Sequence, residues 1–369
     1  MPAYKSHHYV PQMYMRLFSG DGMRVGVYVI ASGKFIPHAP INGQACRDYF
    51  YGKDPRTEQA FGRIEGRAAG IFADAVERHK LPAPRSEDHE WLIFILGIQH
   101  SRTVRAAEQH NEASVKALKA MLRRKAELEG NELILEHLEK VRITRTNAVS
   151  EVVAYATIGA NLLTDLTFVL VEDESEIQFV ASDAPVVLHN RLYEGQRIGV
   201  TGYANVGLQL FLPLGPRLML LGYDAAAYNV RPDADGIVRL QCAEDIRLIN
   251  DLQWEAAHAV LLVASDMAAS ELQAQGERWG ALRKAERVVF NEEVVDQTGT
   301  EVRTRQGGGE APSVISLDLS FITPLLPPPP QLAAWEIPPF RDPARVALTD
   351  RAFAKMEELD ERQQLRRKL

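Results

Sequence analysis

The sequence predicts an α+β protein, a helix-rich domain with a small antiparallel sheet. Two observations indicate this class. Long segments in the first part of the chain repeat apolar residues at helical spacing, and the middle turns to short apolar runs separated by turn residues. Helical spacing returns near residue 243.

The first part of the chain predicts a hairpin and then helices. Residues 23–38 combine β-branched residues, a period-two patch and a Ser-Gly turn, which is typical of a hairpin. Asp54-Pro55 starts a helix that runs to the break "LPAPRS". Ser86 and the acidic residues after it start a long helix, with a break expected near Asn111. Further helices are predicted at about 131–141 and 147–163.

The middle of the chain predicts strands that form an antiparallel sheet. The segment "LTFVLVEDESEIQFVASD" is interpreted as strand, acidic turn and strand, and "LQLFLPLGPRLMLLGYD" as two strands joined at Pro213 to Pro216. Helices follow at about 243–264 and 267–282.

The composition changes past residue 285. A Pro run, "LLPPPPQ", precedes a charged helix from about residue 349, and "GGGE" at 307–310 is interpreted as a flexible loop. We therefore predict a domain at 1–284 and a C-terminal appendage at 285–369 with Gly/Pro-rich loops and a terminal helix.

Composition narrows the functional classes. The 369 residues are 46% hydrophobic and carry a net charge of -7, which disfavours coating nucleic acid by bulk charge. The two cysteines, Cys46 and Cys242, are far apart and support neither a disulfide framework nor a thiolate zinc site. With no signal-peptide core at the start and no apolar run long enough for a bilayer, we expect a soluble, cytoplasmic protein with no membrane partner.

Several sequence signatures are missing. The chain has no GxxxxGK[ST], no dinucleotide-binding glycine fingerprint, no HExxH and no GxSxG. Kinase, Rossmann oxidoreductase, zinc protease and α/β-hydrolase functions are therefore disfavoured.

His7 and His8 are candidate catalytic residues. They are the only adjacent histidines in the chain, and in an extended segment their side chains point to opposite sides. A near-neutral pKa suits histidine for acid or base work and for metal ligation. The alternative is that one histidine packs against the fold and the other caps a turn.

Glu58 and Glu65 are candidate metal ligands. They lie seven residues apart on a predicted helix, so both carboxylates project from one face. Oxygen and nitrogen ligands without thiolates suit Mn²⁺, Mg²⁺ or Zn²⁺. The alternative is a solvated ion-pair face with Arg63 and Arg67.

Gln99 and Arg102 stand at the end of the apolar run "WLIFILGI". A buried guanidinium needs a partner, and its donors fit a phosphate or a carboxylate, with Gln99 adding a hydrogen bond from the same face. The alternative is a structural bridge from Arg102 to Glu58, Glu65 or Asp183.

Ser182 and Asp183 lie where an apolar strand ends before a proline. Asp183 could orient a histidine, bind a metal or accept from Arg102, or it could cap the strand end as an Asx-type turn. Asn250 is expected to satisfy backbone groups or to line the same cleft.

The chain resembles the bacterial DUF4238 proteins, a family of unknown function, over about residues 5–265. The segments "HHYVPQMYMRLF", "TEQAFGRIE", "IQHSRT", "FVASDAPVV", "LFLPLGPRL" and "RLIND" occur in the order seen in that family. Ala184 stands where family members often have Asn. The resemblance implies an α+β domain and no settled reaction.

Convergence of these segments would make one site with a base, acids and an anion binder. Its members would be His7 or His8 together with Glu58, Glu65, Arg102 and Asp183. Such a set suits hydrolysis of a phosphate ester or nucleotide bond, so we predict a nuclease or phosphodiesterase of the defence or toxin type. Its partner would be RNA, single-stranded DNA or a nucleotide, with Mn²⁺ or Mg²⁺ as cofactor. The alternative is a non-catalytic sensor or interaction module whose polar cluster is structural or binds a small anionic ligand.

Overall fold

The computed structural model of the chain describes residues 5–145, 148–196, 199–283, 287–298, 301–333 and 335–368. Its helices are α1 (Gln12–Met15), α2 (Pro55–Arg78), α3 (Glu87–Ser101), α4 (Val104–Glu129), α5 (Glu132–His137), α6 (Ala148–Gly159), α7 (Ala243–Ala256), α8 (Ala269–Leu282) and α9 (Pro343–Lys368). The predicted α+β class is confirmed. The predicted helix start at residue 147 lies outside the described residues.

Short strands make up the β part. They are β1 (Ser6–His8), β2 (Arg24–Val29), β3 (Lys34–Pro40), β4 (Cys46–Asp48), β5 (Thr167–Asp173), β6 (Ala181–Ser182), β7 (Val187–His189), β8 (Gln209–Pro213), β9 (Leu218–Tyr223), β10 (Tyr228–Val230), β11 (Ile237–Leu240), β12 (Val260–Val263), β13 (Val288–Thr298), β14 (Glu301–Glu310) and β15 (Ile322–Pro324). The predicted hairpin at 23–38 is present as β2 and β3.

Two sheets carry most of these strands. The larger has the order β11-β5-β9-β8-β7 and the smaller β3-β2-β12-β6. The larger sheet exceeds the predicted small one and is mixed, because β11 pairs parallel to β5. The prediction that the strands of 166–183 share one sheet is wrong, since β6 pairs with β12 in the smaller sheet.

The larger sheet is buried on both faces. Leu210 and Leu212 of β8 join a core with Phe72 of α2 and Leu96 of α3. Phe211, between them, joins a second core on the opposite face. Burial on both faces explains why this strand is a continuous apolar run rather than an alternating one.

Helix α3 ends earlier than predicted. The break expected near Asn111 lies instead at Arg102 and Thr103, where the Thr103 side chain accepts from the Ala106 N–H at 3.1 Å and caps α4. Gly97 allows α3 to pack closely on the turn after α6, because a Cβ there would lie 2.6 Å from Cβ of Ala160.

The predicted helix at 243–264 is wrong in its last part. Helix α7 ends at Ala256, and Val260–Val263 form β12 between β2 and β6. The side chain of Asp183 sets this change of direction, since its two carboxylate oxygens accept from the N–H groups of His258 and Ala259 at 2.7 and 2.9 Å. The apolar periodicity of residues 243–264 does not indicate this end of the helix, because the Asp183 carboxylate comes from a distant strand end.

The prediction of a flexible loop at 307–310 is also wrong. These residues belong to β14, which pairs with β13 from Val288 onward. The glycines have a packing reason, because a Cβ on Gly307 would lie 3.1 Å from the ring of Trp335. Helix α9 begins before residue 349, with the Asp342 carboxylate accepting from the Arg345 N–H at 3.0 Å.

The C-terminal residues contact the preceding part of the chain. Strand β15 pairs with β10, and the Arg341 guanidinium binds the Asp165 carboxylate at 2.8 Å and the Tyr203 carbonyl at 2.8 Å. The division at 284 and 285 stays a prediction, and both of these residues lie outside the described part. None of the helices described is both long and apolar enough to span a bilayer.

Helix α8 supplies a matched pair of glycines for a stability test. A Cβ on Gly276 would overlap the hydroxyl of Tyr28 and lie 2.7 Å from its Cζ, whereas one on Gly280 would meet nothing within 4 Å. Tyr28 is 3% exposed and packs against Trp254, so it has little room to move. We expect Gly276→Ala to lower the free energy of unfolding by about 1–3 kcal/mol.

The control is Gly280→Ala, which should be neutral or stabilise the helix by up to about 1 kcal/mol. Urea denaturation measures both. Equal stability of the two variants would contradict the packing of α8 against Tyr28.

Candidate functional site

The N-terminal polar cluster consists of His7, His8, Glu58, Glu65, Gln99 and Arg102. Tyr9 lies at its centre, because its carbonyl accepts from Gln99 Nε2 at 3.1 Å and from Arg102 Nε at 3.4 Å. Three of the six motif segments, the opening motif, "TEQAFGRIE" and "IQHSRT", thus meet in this cluster.

Arg102 is the most deeply buried member of the cluster. Its side chain is 1% exposed, donates from Nη2 to Glu65 Oε1 at 2.6 Å, and lies over the Phe61 ring at 4.9 Å from the centroid. Arg102 thus forms the structural bridge to Glu65, which is the alternative to an anion-binding role for this arginine. The Glu65 carboxylate is therefore already bound to a guanidinium.

His7 and His8 project to opposite sides of β1, as expected. The buried His7 ring stacks on Tyr51, and its Nδ1 accepts from the Tyr51 N–H at 3.2 Å. His8 is less buried, and its Nε2 lies 3.4 Å from Gln12 Nε2. Burial lowers the pKa of His8, with the Asn42 backbone acting in the opposite direction.

Glu58 differs from Glu65 in its surroundings. Its Oε2 is buried and has no hydrogen-bond partner, and burial raises its pKa against the effect of His7. Among the residues described, no group of three or more His, Cys, Asp and Glu side chains is arranged to hold a metal ion. The metal-binding role of Glu58 and Glu65 stays a prediction.

The cavity beside this cluster is small. It measures about 20 Å³ and is lined by Gln99, Arg102 and Glu65 together with apolar residues from α1 to α3. A water molecule occupies about 10–15 Å³ by this measure, so the cavity has room for one water and not for a nucleotide.

Ser182, Asp183 and Asn250 belong to a second network around α7. Ser182 Oγ donates to Gln253 Oε1 at 2.9 Å, and Asn250 binds the Val180 N–H and the Gln178 carbonyl. Asp183 is fully buried, and its carboxylate accepts hydrogen bonds from the N–H groups of His258 and Ala259. Burial raises the pKa of this carboxyl. Their observed contacts hold the strand end to the helix.

Tyr9 also connects the two networks. Burial, together with the negative charge of Asp183, raises the pKa of the Tyr9 phenol. Asp183 nevertheless makes its hydrogen bonds to backbone N–H groups, and Arg102 makes its ion pair to Glu65. The predicted residues therefore divide between two networks and have different partners.

A larger cleft lies elsewhere, and its charged residues were missed by the sequence prediction. This arginine cleft has a volume of about 100 Å³ and is lined by Arg105, Arg283, Arg287 and Glu310, with His189 and Trp279 among its other walls. Arg105 comes from α4, Arg283 follows α8, Arg287 precedes β13, and Glu310 ends β14.

Arg105 is the paired arginine of the cleft. Its Nη2 donates to Glu310 Oε1 at 2.5 Å and its Nη1 to the Glu255 carbonyl at 2.5 Å. Burial alone would raise the pKa of Glu310, but Arg105 and Gln109 outweigh it and the pKa is lowered. Glu310 keeps 39% of its side chain exposed, so solvent reaches this ion pair.

Arg283 and Arg287 form no ion pair with any residue that the structure describes. Both donate to the carbonyl of Ala257, where α7 ends, and Arg287 does so at 3.2 Å. Among the described residues, no carboxylate lies within salt-bridge distance of either guanidinium, and Nη1 of Arg287 is buried without a hydrogen-bond partner. Burial, with the neighbouring Arg105 and Arg283 charges, lowers the pKa of Arg287 to about 10.

His100 connects the "IQHSRT" motif to this region. Gln99 and Arg102 face the N-terminal polar cluster, whereas His100 lines a pocket of about 40 Å³ that shares Arg105 and Glu310 with the arginine cleft. Its Nδ1 lies 2.8 Å from the Tyr203 hydroxyl, and burial lowers its pKa to about 4. It is therefore neutral near pH 7.

The role of Arg102 can be tested by stability. Arg102→Met removes the partner of Glu65 and the donor to the Tyr9 carbonyl, so we expect the free energy of unfolding to fall by about 2–4 kcal/mol. Arg67→Met is the control, because Arg67 makes an exposed ion pair with Asp88 that contributes about 1 kcal/mol or less. Denaturant unfolding of both variants measures the difference, and equal losses would contradict a structural role for Arg102.

Comparison with known proteins identifies the family. The family model described as "Protein of unknown function (DUF4238)" matches residues 6–267. No curated protein and no solved structure matches the chain. The match covers more than half of the 369 residues and contains the six motifs that indicated the resemblance. This protein therefore belongs to the DUF4238 family.

Proposed function

We propose that this protein binds a small anionic ligand of the phosphate class in the arginine cleft. The observation that carries the proposal is the pair Arg283 and Arg287, two partly buried guanidiniums with no carboxylate partner among the described residues. Buried charges in proteins are normally paired, and an unpaired donor costs free energy unless a ligand or water satisfies it.

The end of α7 supplies only part of the missing negative charge. Both guanidiniums bind the Ala257 carbonyl, and a helix C-terminus carries the equivalent of about half a negative charge. Helix capping alone would therefore leave most of two positive charges uncompensated. An anion between the guanidiniums would supply the rest.

The size of the cleft fits such a ligand. A volume of about 100 Å³ accommodates several water molecules at about 10–15 Å³ each, and so a phosphate group with part of the molecule that carries it. Apolar side chains, including Val187, Leu252 and Leu282, line the cleft beside the arginines. These walls suit a ligand with an apolar or planar body.

Arg287→Met tests the proposal. Inorganic phosphate and adenosine 5′-phosphate serve as probes in calorimetric titration of the full chain. Because a hydrogen bond to a charged group contributes about 1.5–3 kcal/mol, we expect the substitution to weaken binding by about 10- to 100-fold. The control, Arg231→Met, removes an arginine that is exposed and outside the cleft, and should leave the affinity unchanged.

Each variant must keep the wild-type thermal unfolding transition, because Arg287 also contacts the end of α7. Binding of equal strength in wild type and Arg287→Met, or no binding of either probe to the wild type, would contradict the proposal.

Hydrolysis of a phosphate ester or nucleotide bond remains the second candidate function. One observation favours it in this cleft: the buried His189 lines the wall, with Nε2 2.8 Å from Glu194 Oε1. A histidine oriented by a carboxylate is an arrangement used for general base catalysis. Glu194 also accepts from the Leu317 N–H, and this hydrogen bond holds the carboxylate in position to orient His189.

Two histidine variants separate the sites at which hydrolysis could occur. RNA, single-stranded DNA and nucleotides are incubated with the protein, with and without Mn²⁺, and the products are identified by mass. If the cleft is catalytic, His189→Gln should lower turnover by about 10²- to 10⁴-fold. His7→Gln should change turnover by less than about threefold relative to the wild type, which is much less than the loss expected when a catalytic histidine is removed.

Loss of turnover in the His7 variant alone would place the chemistry in the N-terminal polar cluster. If all substrates stay intact while phosphate binds, the non-catalytic sensor function is supported instead.

A further inference from the structure

We infer that the arginine cleft selects a phosphate monoester, in its doubly charged form, over a phosphate diester. The inference rests on the proposed function and concerns the charge and oxygen count of the ligand. A monoester offers three free oxygens and close to two negative charges at neutral pH, whereas a diester offers two free oxygens and one charge.

Among the described residues, the carboxylates near the arginines make their hydrogen bonds to other groups. Glu310 pairs with Arg105, and Glu108 Oε2 lies 3.1 Å from His258 Nδ1, a contact that is an ion pair only when His258 is protonated. Asp183 accepts from backbone N–H groups. Glu255 accepts from Ser313 Oγ at 2.6 Å and the Val314 N–H at 2.8 Å.

Two guanidiniums therefore remain for the ligand. Arg283 and Arg287 converge on one carbonyl oxygen, that of Ala257, so their remaining donors lie close together. Each guanidinium has five N–H donors in a planar fork that matches phosphate oxygens. A group with two charges can compensate both guanidiniums, whereas a singly charged diester leaves one without a full counter-charge.

Glu310 does not supply the missing negative charge. Its carboxylate is paired with Arg105, so its charge is compensated there rather than at Arg283 and Arg287. The ligand's charge is thus matched mainly by Arg283 and Arg287. Losing one charged hydrogen bond corresponds to about tenfold or more in affinity.

The test compares two ligands that differ by one methyl group and one charge. The full chain is titrated calorimetrically with adenosine 5′-phosphate and with the methyl ester of its phosphate at pH 7.5. We expect the monoester to bind at least about tenfold more tightly. In Arg287→Met the ratio of the two affinities should shrink toward one.

The pH dependence gives a second measurement. The second pKa of a phosphate monoester is about 6, so at pH 5 about one tenth of the ligand is doubly charged and its affinity should fall about five- to tenfold. Sulfate is doubly charged throughout this range and is the control. It reports any effect of pH on the protein itself, whose ionisable groups near the arginines include His258, Asp183, Glu108, Glu255 and Glu310. Sulfate affinity should change by less than about twofold, well under the loss expected from ligand protonation.

The outcomes separate the inference from the proposed function. Equal affinities for the monoester and its methyl ester, an affinity ratio unchanged in Arg287→Met, or an equal loss of sulfate binding at pH 5 would overturn the inference while the anion site stands. If neither adenosine compound nor sulfate binds the wild type, the proposed function and the inference both fall.

Discussion

A guanidinium that leaves water must find its counter-charge inside the protein, and Arg102 does so where three separate segments meet. Its side chain joins Glu65 of α2, the Tyr9 carbonyl of the opening motif and the face of Phe61. Because these partners are far apart in sequence, the ion pair fixes the N-terminal segment against α2 and α3. Residues of all three segments, among them Tyr9, Ala68 and Leu96, belong to the core on one face of the larger sheet.

The same physical constraint is met differently at the start of α4. Arg105 is paired with Glu310, whereas Arg283 and Arg287 donate only to main-chain carbonyls among the residues described. The buried arginine with a carboxylate has a structural partner, whereas the two without one are the basis of the proposed ligand site. The contrast between Arg102 and this pair is the main reason for placing the ligand in the arginine cleft.

The sequence predicted the parts of the fold that depend on local order. Capping residues such as Ser86 and the turn at Pro213 to Pro216 were located correctly, because each acts on its immediate neighbours. The end of α7 was not, since the groups that redirect the chain there, Asp183 and the two arginines, come from distant segments. Burial of Arg102 requires a partner for its charge, but tertiary packing decides that this partner is Glu65. The arginine cleft has no sequence motif, because Arg105 on α4 is far in sequence from Arg283 and Arg287, and no spacing rule connects it with them.

The boundary of the family match has a consequence for how such proteins diversify. Arg105 lies within residues 6–267, but Arg283, Arg287 and Glu310 lie beyond them. One part of the cleft lining thus lies within the family match and the other part beyond it. A relative that matches over the same residues and differs beyond them would present other groups to this cavity.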